Sequence, residues 1–345
     1  MKKLLLLLSI QALALGGFAQ QKGFSFAEHK DKQQVDLLLN GKMITAYCYY
    51  DSAKKGFLWP INTVDGITVT RGYPFAPRAG ERTDHPHHQG LWMNYEAVNG
   101  LDFWNHSTAI AFDKRDKYGT ILNHKIVDKK TGPEGATLVT TADWVRPDGH
   151  VLLNESTTHR FTTKGNQLFI DRITTLKAND LDVVFKDVKD GFIALRVARE
   201  LELPSQQADV FVDANGIKTA VPKINNEGVT GNYLTSEGVS GDASWSTRGR
   251  WTALHGKKDG KDIVIAIFDH PSNVGYPAYR HARGYGLFAI NPLGQKVFSN
   301  GKEELNLTLK PGQSTTFHYR VLVSSGEPVN AAALNGIADA FAKEQ

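Results

Sequence analysis

Cysteine is nearly absent from this chain. Cys48 is the only one among 345 residues, so no disulfide can close within it and packing must carry its stability. After the N-terminal stretch, no apolar run approaches the ~20 residues of a membrane-crossing helix. Charge of one sign is scarce too. Lys and Arg total 40 against 36 Asp and Glu, a net +4 with no basic run, which argues against a nucleic-acid partner. There is no GxGxxG turn, no Walker loop and no strand–helix alternation, so a doubly wound α/β fold has little support.

What is there begins with a leader. Lys2 and Lys3 precede an apolar stretch from Leu4 to Leu15, and Gly17-Phe18-Ala19 supplies small residues for cleavage. Residues 1–19 read as a signal peptide, too short to span a bilayer. A cut after Ala19 implies a periplasmic or secreted protein. No cysteine stands at the cut to take a lipid anchor, and loss of the two lysines lowers the net charge from +4 to +2. Residues 20–345 are enough for one large β-sandwich domain.

Period-two alternation dominates that span. In VLLNESTTHRF, Val151, Leu153, Glu155, Thr157, His159 and Phe161 point one way. NQLFIDRITTLKA, LDVVFKDVKDGFIALRVA, KDIVIAIFDH, YGLFAINPLG and STTFHYRVLVSSG read as further strands between Gly, Asn, Asp and Pro turns. Near the end, EPVNAAALNGIADAFAKE shifts to helical spacing through Leu334, Ile337 and Phe341. The fold class is all-β: a large antiparallel sandwich with a C-terminal helix.

The segment RTDHPHHQGLWMNYEAVNGLDFWNHS, residues 82–107, gathers four of the twelve histidines and two of the six tryptophans. Pro86 biases His85 toward extended backbone, and in an extended segment His85 and His87 project to one side while His88 faces away. Such imidazoles can ligate a divalent metal, move protons near neutral pH or hydrogen-bond sugar hydroxyls. His85 and His87 are the pair a metal would use. A lone histidine is more often a satisfied structural group, but three within four residues, beside Arg82 and Asp84, weigh toward a site. Trp92 and Trp104 offer flat apolar faces and Asn94 an amide, the mixture a pyranose needs, although either indole alone is as readily core.

A second cluster, DHPSNVGYPAYRHARGYGLFAINP at 269–292, repeats the Asp-His-Pro triplet and adds Arg280, His281, Arg283, Tyr285 and Asn291. Arg280 or Arg283 can clamp a carboxylate or a developing negative charge; the plain alternative is a surface guanidinium with no such duty. Between the clusters, Glu155 and His159 share a strand face ~13 Å apart at ~3.3 Å per residue. Burial among apolar neighbours would raise the pKa of Glu155 and suit it to acid catalysis. The expected assembly brings these remote segments into one hollow. Its proton-transfer and charge-stabilising groups are His85, His87, His88, Glu155, His159, Arg82, Arg280 and His281. Its binding groups are Trp92, Asn94, Trp104, His270, Tyr285 and Asn291.

DHPHHQGLWMNYEAVNGLDFW, FDHPSNVGYPAYRHARGYGLFAINPLG and LNESTTHRF together resemble the secreted PmoA-like proteins of Bacteroidetes and planctomycetes, also labelled methane oxygenase PmoA. The resemblance covers most of the chain after the leader. Members accompany carbohydrate-degradation genes, so it implies a glycan role. The membrane subunit that lends the label spans the bilayer several times, and no run after the leader here is long enough to do so. The resulting expectation is an exported enzyme with a sandwich resembling the mutarotase-like ones, hydrolysing a glycan or eliminating across its linkage, with a divalent metal as a candidate cofactor. A glycan-binding protein without chemistry is the alternative, and a metal-dependent oxygenase a minor one.

Overall fold

The computed structural model describes residues 22–213, 215–223 and 225–344, so the leader lies outside the described residues. The chain first lays down β1 (Phe24–His29), β2 (Gln34–Leu39), β3 (Lys42–Cys48), β4 (Phe57–Ile61) and β5 (Leu91–Tyr95). A long meander follows in β6 (Thr120–Gly132), β7 (Gly135–Val145), β8 (Val151–Lys164) and β9 (Gln167–Ala178). Shorter strands come next: β10 (Val183–Phe185), β11 (Gly191–Arg196), β12 (Asp209–Val212), β13 (Lys218–Val221) and β14 (Asn232–Thr235). The last are β15 (Trp251–Lys258), β16 (Lys261–Asp269), β17 (Tyr279–Arg283), β18 (Leu287–Asn291), β19 (Leu307–Leu309) and β20 (Ser314–Ser325). A short helix α1 (Gln295–Phe298) precedes β19, and α2 (Ala331–Phe341) closes the chain.

Two eight-stranded sheets result. Sheet one runs β1-β2-β3-β4-β5-β11-β18-β17, and sheet two runs β14-β15-β16-β20-β9-β8-β7-β6. Pairing within both is antiparallel. Local chemistry sets the tight turns. Asn40 and Gly41 both take positive φ, 50° and 77°, so a two-residue hairpin joins β2 to β3 with the twist its strands need.

The core lies between the sheets. Leu37, Ile44, Met93, Ile193 and Phe288 from sheet one meet Leu153, Ile170, Ile265, Phe317 and Val321 from sheet two. Each fully buried side chain of this size contributes about 1.5–3 kcal/mol. The expected large antiparallel sandwich is the observed one. The segment expected as a strand over residues 181–198 is two strands instead, because its charged middle, Lys186 to Asp190, leaves the ladder between β10 and β11.

Both outer faces are covered. On sheet two, α2 buries Leu334, Ala338 and Phe341 against Trp251, Phe268 and Leu322, and the Asn330 side chain caps it by accepting from the Ala333 amide at 3.1 Å. This is the closing helix the C-terminal spacing predicts. On sheet one, Trp92, Ala194, Leu287 and Ala289 turn outward and join Cys48, Phe57 and Trp104 in a second apolar cluster, roofed by loops. Among the described residues no helix is long and apolar enough to cross a membrane.

Candidate functional site

The loop carrying the histidines sits on the outer face of sheet one. Its conformation corrects the extended reading. The His88 amide donates to the His85 carbonyl at 3.0 Å, and His85 takes a left-handed φ of 43°. Pro86, with its fixed φ, occupies the second position of this turn, where proline is favoured. The turn therefore pairs His85 with His88, not with His87. The first two rings stack 4.6 Å apart at 2°, and His87 stands edge-on to both.

Two buried guanidinium groups fix that turn. Arg71 reaches Asp84 Oδ1 at 2.7 Å and donates to the carbonyls of His85 and His88 at 3.0 and 3.2 Å. Arg196, on the outer side of β11, holds the same carboxylate at 2.6 and 3.1 Å and donates to Nδ1 of His88 at 3.1 Å. Asp84 in turn accepts from Nδ1 of His85 at 2.5 Å. Burial opposes ionisation of Asp84, but Arg196, the His85 hydrogen bond and Arg71 outweigh it and hold its pKa well below the usual carboxylate range. His85 is left with its Nε2 free of hydrogen bonds among the described residues.

Beside this loop opens a cleft of about 600 Å³, lined by Arg82, Asp84, His85, Trp245, Arg283 and Tyr285, with Asp209 and Asp242 also facing it. A column of four rings runs from the cleft to the sheet. Tyr285 covers His85 at 5.2 Å and 3°, His85 covers His88, and His88 lies over Trp92 at 5.3 Å and 23°. Arg82 is tied to Glu202 at 2.7 Å and also to Asp209. Burial pushes Glu202 up to about 7.

Beneath the cleft the imidazoles are neutral. His88 is driven well below its ordinary pKa by burial and then by its charged neighbours, and His87 by burial and by Lys55. Lys55 is itself buried, donates to the His87 carbonyl at 2.7 Å and is pushed down to about 7 by burial. His281 falls to about 3 through burial and packs on Trp104 and Trp245.

The expected assembly is only partly gathered. Arg82, His85 and Tyr285 line the cleft; His87, His88 and His281 lie buried close behind it. Trp92 and Trp104 are 0% and 1% exposed, so neither can stack on a sugar as expected; both are floor. Asn94 is also buried, accepting from the Trp92 indole and donating to the Phe103 carbonyl. Asn291 uses its amide to tie Val188, Lys189, Leu293 and Gly294 together.

Four expected members lie elsewhere. Glu155 and His159 do share one face of β8, but that face looks into the space between the sheets. Glu155 is paired with Arg172 at 3.0 Å and accepts from Trp144, while His159 packs on Tyr47 and Phe161. Arg280 points inward from β17 to Thr252, the Trp251 carbonyl and Glu237. His270 stacks on His318 and meets Phe341 of α2 on the outer face of sheet two. The two Asp-His-Pro triplets thus occupy opposite exteriors, and the assembly that joined them does not form. The second stretch reaches the cleft only through residues 282–285.

His85 and His87 do not converge with a third metal ligand among the described residues. The one such group found there is Asp171, His318 and Glu344, whose ligand atoms lie within 4.8 Å of one another on sheet two and at the chain's end. Arg320 already holds both carboxylates, at 2.6 and 2.8 Å to Asp171 and 2.8 Å to Glu344. Sequence reading missed Arg71, Arg196, Lys55 and Trp245. Only Arg196 left a signal, as a charge inside the apolar strand FIALRV.

Fold and cleft together define a β-sandwich protein with an Asp–His pair set on the outer face of one sheet. Residues 34–339 match the family described as a family of unknown function, DUF6807, and the chain belongs to it. No curated protein matches in sequence. Among solved structures, a GH36 α-galactosidase, AgaB from Geobacillus stearothermophilus, is similar at 11% identity and a TM-score of 0.39, over 88% of this chain and 41% of that one. This chain therefore spans about two fifths of that enzyme's length. A putative aldose 1-epimerase from Escherichia coli K12 is similar at 9% identity and a TM-score of 0.31, over 89% of this chain and 99% of that one. A polysaccharide lyase is similar at 11% identity and a TM-score of 0.26, over 89% and 33%.

Proposed function

We propose that the outer-face cleft belongs to an exported enzyme that binds a glycan and breaks its linkage by elimination, with His85 as the base. The carrying observation is the Asp84–His85 pair at the cleft wall. Asp84, kept ionised by two guanidinium groups, fixes the His85 proton on Nδ1 and leaves the Nε2 lone pair as the acceptor. Tyr285 and His88 clamp the ring from both faces, so the base is positioned before substrate arrives. The polar lining, with Trp245 and Tyr285 among it, suits a polyol ring.

In the proposed step Nε2 takes a proton from a ring carbon. The carbon–hydrogen electron pair becomes a carbon–carbon double bond, the neighbouring carbon–oxygen linkage breaks, and the proton returns to the departing oxygen. Hydrolysis by two carboxylates fits less well. Asp84 is locked by Arg71 and Arg196, and Asp209 by Arg82, which leaves Asp242 alone to act.

The test is product analysis by mass spectrometry on oligosaccharide mixtures. One fragment of each pair should carry a double bond with no water added, and His85→Ala should lower turnover by roughly 10²–10⁴-fold. Fragments that have gained water would overturn elimination. Glycan binding without any product would leave a binding protein.

A further inference from the structure

We infer that Arg283 forms a subsite for a carboxylate of the substrate, so that the glycan taken by the cleft contains a uronic acid. This rests on the cleft being a glycan site and names the class of glycan. Among the described residues the other guanidinium lining the cleft, Arg82, is paired with Glu202 and Asp209, while Arg71 and Arg196 behind it share Asp84. Arg283 differs. Among the described residues its guanidinium has no carboxylate or carbonyl acceptor, although it lines the cleft and is only half exposed.

It is nonetheless held in place. Its guanidinium carbon lies 3.8 Å from the Trp245 ring centroid, and Trp245 is itself packed edge-on by His281 and Phe298. Stacking fixes the plane of the fork and leaves its N–H edges for an acceptor. A planar two-oxygen anion matches that edge with parallel hydrogen bonds. Asp242 also faces the cleft and carries the opposite charge, so it suits a hydroxyl of the same ligand, not the anion.

The subsite also supplies what elimination lacks. A ring-carbon proton is poorly acidic unless the adjacent group can accept negative charge. A carboxylate neutralised by Arg283 would do so next to the proton that His85 removes, and the same two bonds, carbon–hydrogen and carbon–oxygen, break.

Titration calorimetry tests the inference with di- and trisaccharides of glucuronate, galacturonate and mannuronate. Each is compared with its neutral hexose counterpart and with a 6-sulfated counterpart. At least one uronate should bind roughly tenfold or more tightly than its neutral form, the scale of a charge-assisted pair. Arg283→Ala should abolish that preference, read as the ratio of uronate to neutral-sugar affinity in the same variant, and Arg283→Lys should restore part of it. A uronate that binds no better than the neutral sugar, or a preference that survives Arg283→Ala, overturns the inference. Tighter binding of the sulfated sugar overturns the carboxylate assignment. Unsaturated products that form from a uronate equally well in Arg283→Ala but not in His85→Ala would sink the subsite and leave the elimination reading standing. If none of the sugars binds, both fall.

Discussion

The imidazole of His85 lies parallel to the ring of Tyr285, with 3° between planes and 5.2 Å between centroids. The contact joins two stretches about 200 positions apart, and it uses the ring face of the tyrosine, not its hydroxyl. Tyr285→Phe should therefore keep turnover, whereas Tyr285→Ala frees one face of His85 and should lower kcat by up to roughly 10²-fold. Steady-state kinetics of the two variants would decide, and equal losses in both would show that the hydroxyl matters.

Asp84 and His85 should separate in stability. His85 keeps 42% of its side chain exposed, so His85→Ala should leave the melting temperature nearly unchanged while activity is lost. Asp84→Asn leaves Arg71 and Arg196 buried without a counter-charge and should cost about 3–5 kcal/mol. Chemical denaturation checks both variants.

Glu155→Gln offers the opposite pattern. Removing the charge leaves Arg172 buried and unmatched, again a loss of about 3–5 kcal/mol. Activity per folded molecule should hold. A kcat that collapses in a normally stable variant would return Glu155 to the chemistry.

Lys55 gives stability a pH slope. Its folded pKa, about 7, lies below the ordinary 10.5, so the unfolded chain binds the extra proton between those values. Stability should rise as pH climbs from about 7 toward 10.5, by roughly 1 kcal/mol per pH unit across the window, and fall as pH drops through about 7. Lys55→Met should flatten that slope. Urea midpoints measured at several pH values would show it, and an unchanged slope would rule out Lys55 as its source.

Alternation in the sequence was a good guide to sheets and a poor guide to the site. Leu153, Glu155, Thr157, His159 and Phe161 do share one buried face of β8, while a register shift beside Val151 takes that residue out of the alternation; α2 buries two of the three residues its spacing picks, Leu334 and Phe341, with Ile337 half-buried. Period two says which side chains lie together, however, and not whether their side faces another sheet or solvent. Alternation alone therefore cannot tell a cleft from the space between the sheets for Glu155 and His159. The two Asp-His-Pro triplets are identical in letters, but one closes a turn over sheet one and the other ends β16 beside α2. The bond from Arg196 to Asp84 bridges 112 positions, and no local pattern encodes it.

One consequence concerns how the molecule fails. The shape of the 84–88 turn is written by ionic bonds from Arg71 and Arg196, while the sandwich beneath it is held by oil-like contacts between sheets. Guanidinium salts compete with ions as well as with apolar burial; urea competes chiefly with burial and peptide groups. If the proposed activity holds, its loss should run ahead of unfolding more widely in the charged denaturant than in the neutral one, a sign that the 84–88 turn and its scaffold draw on different forces.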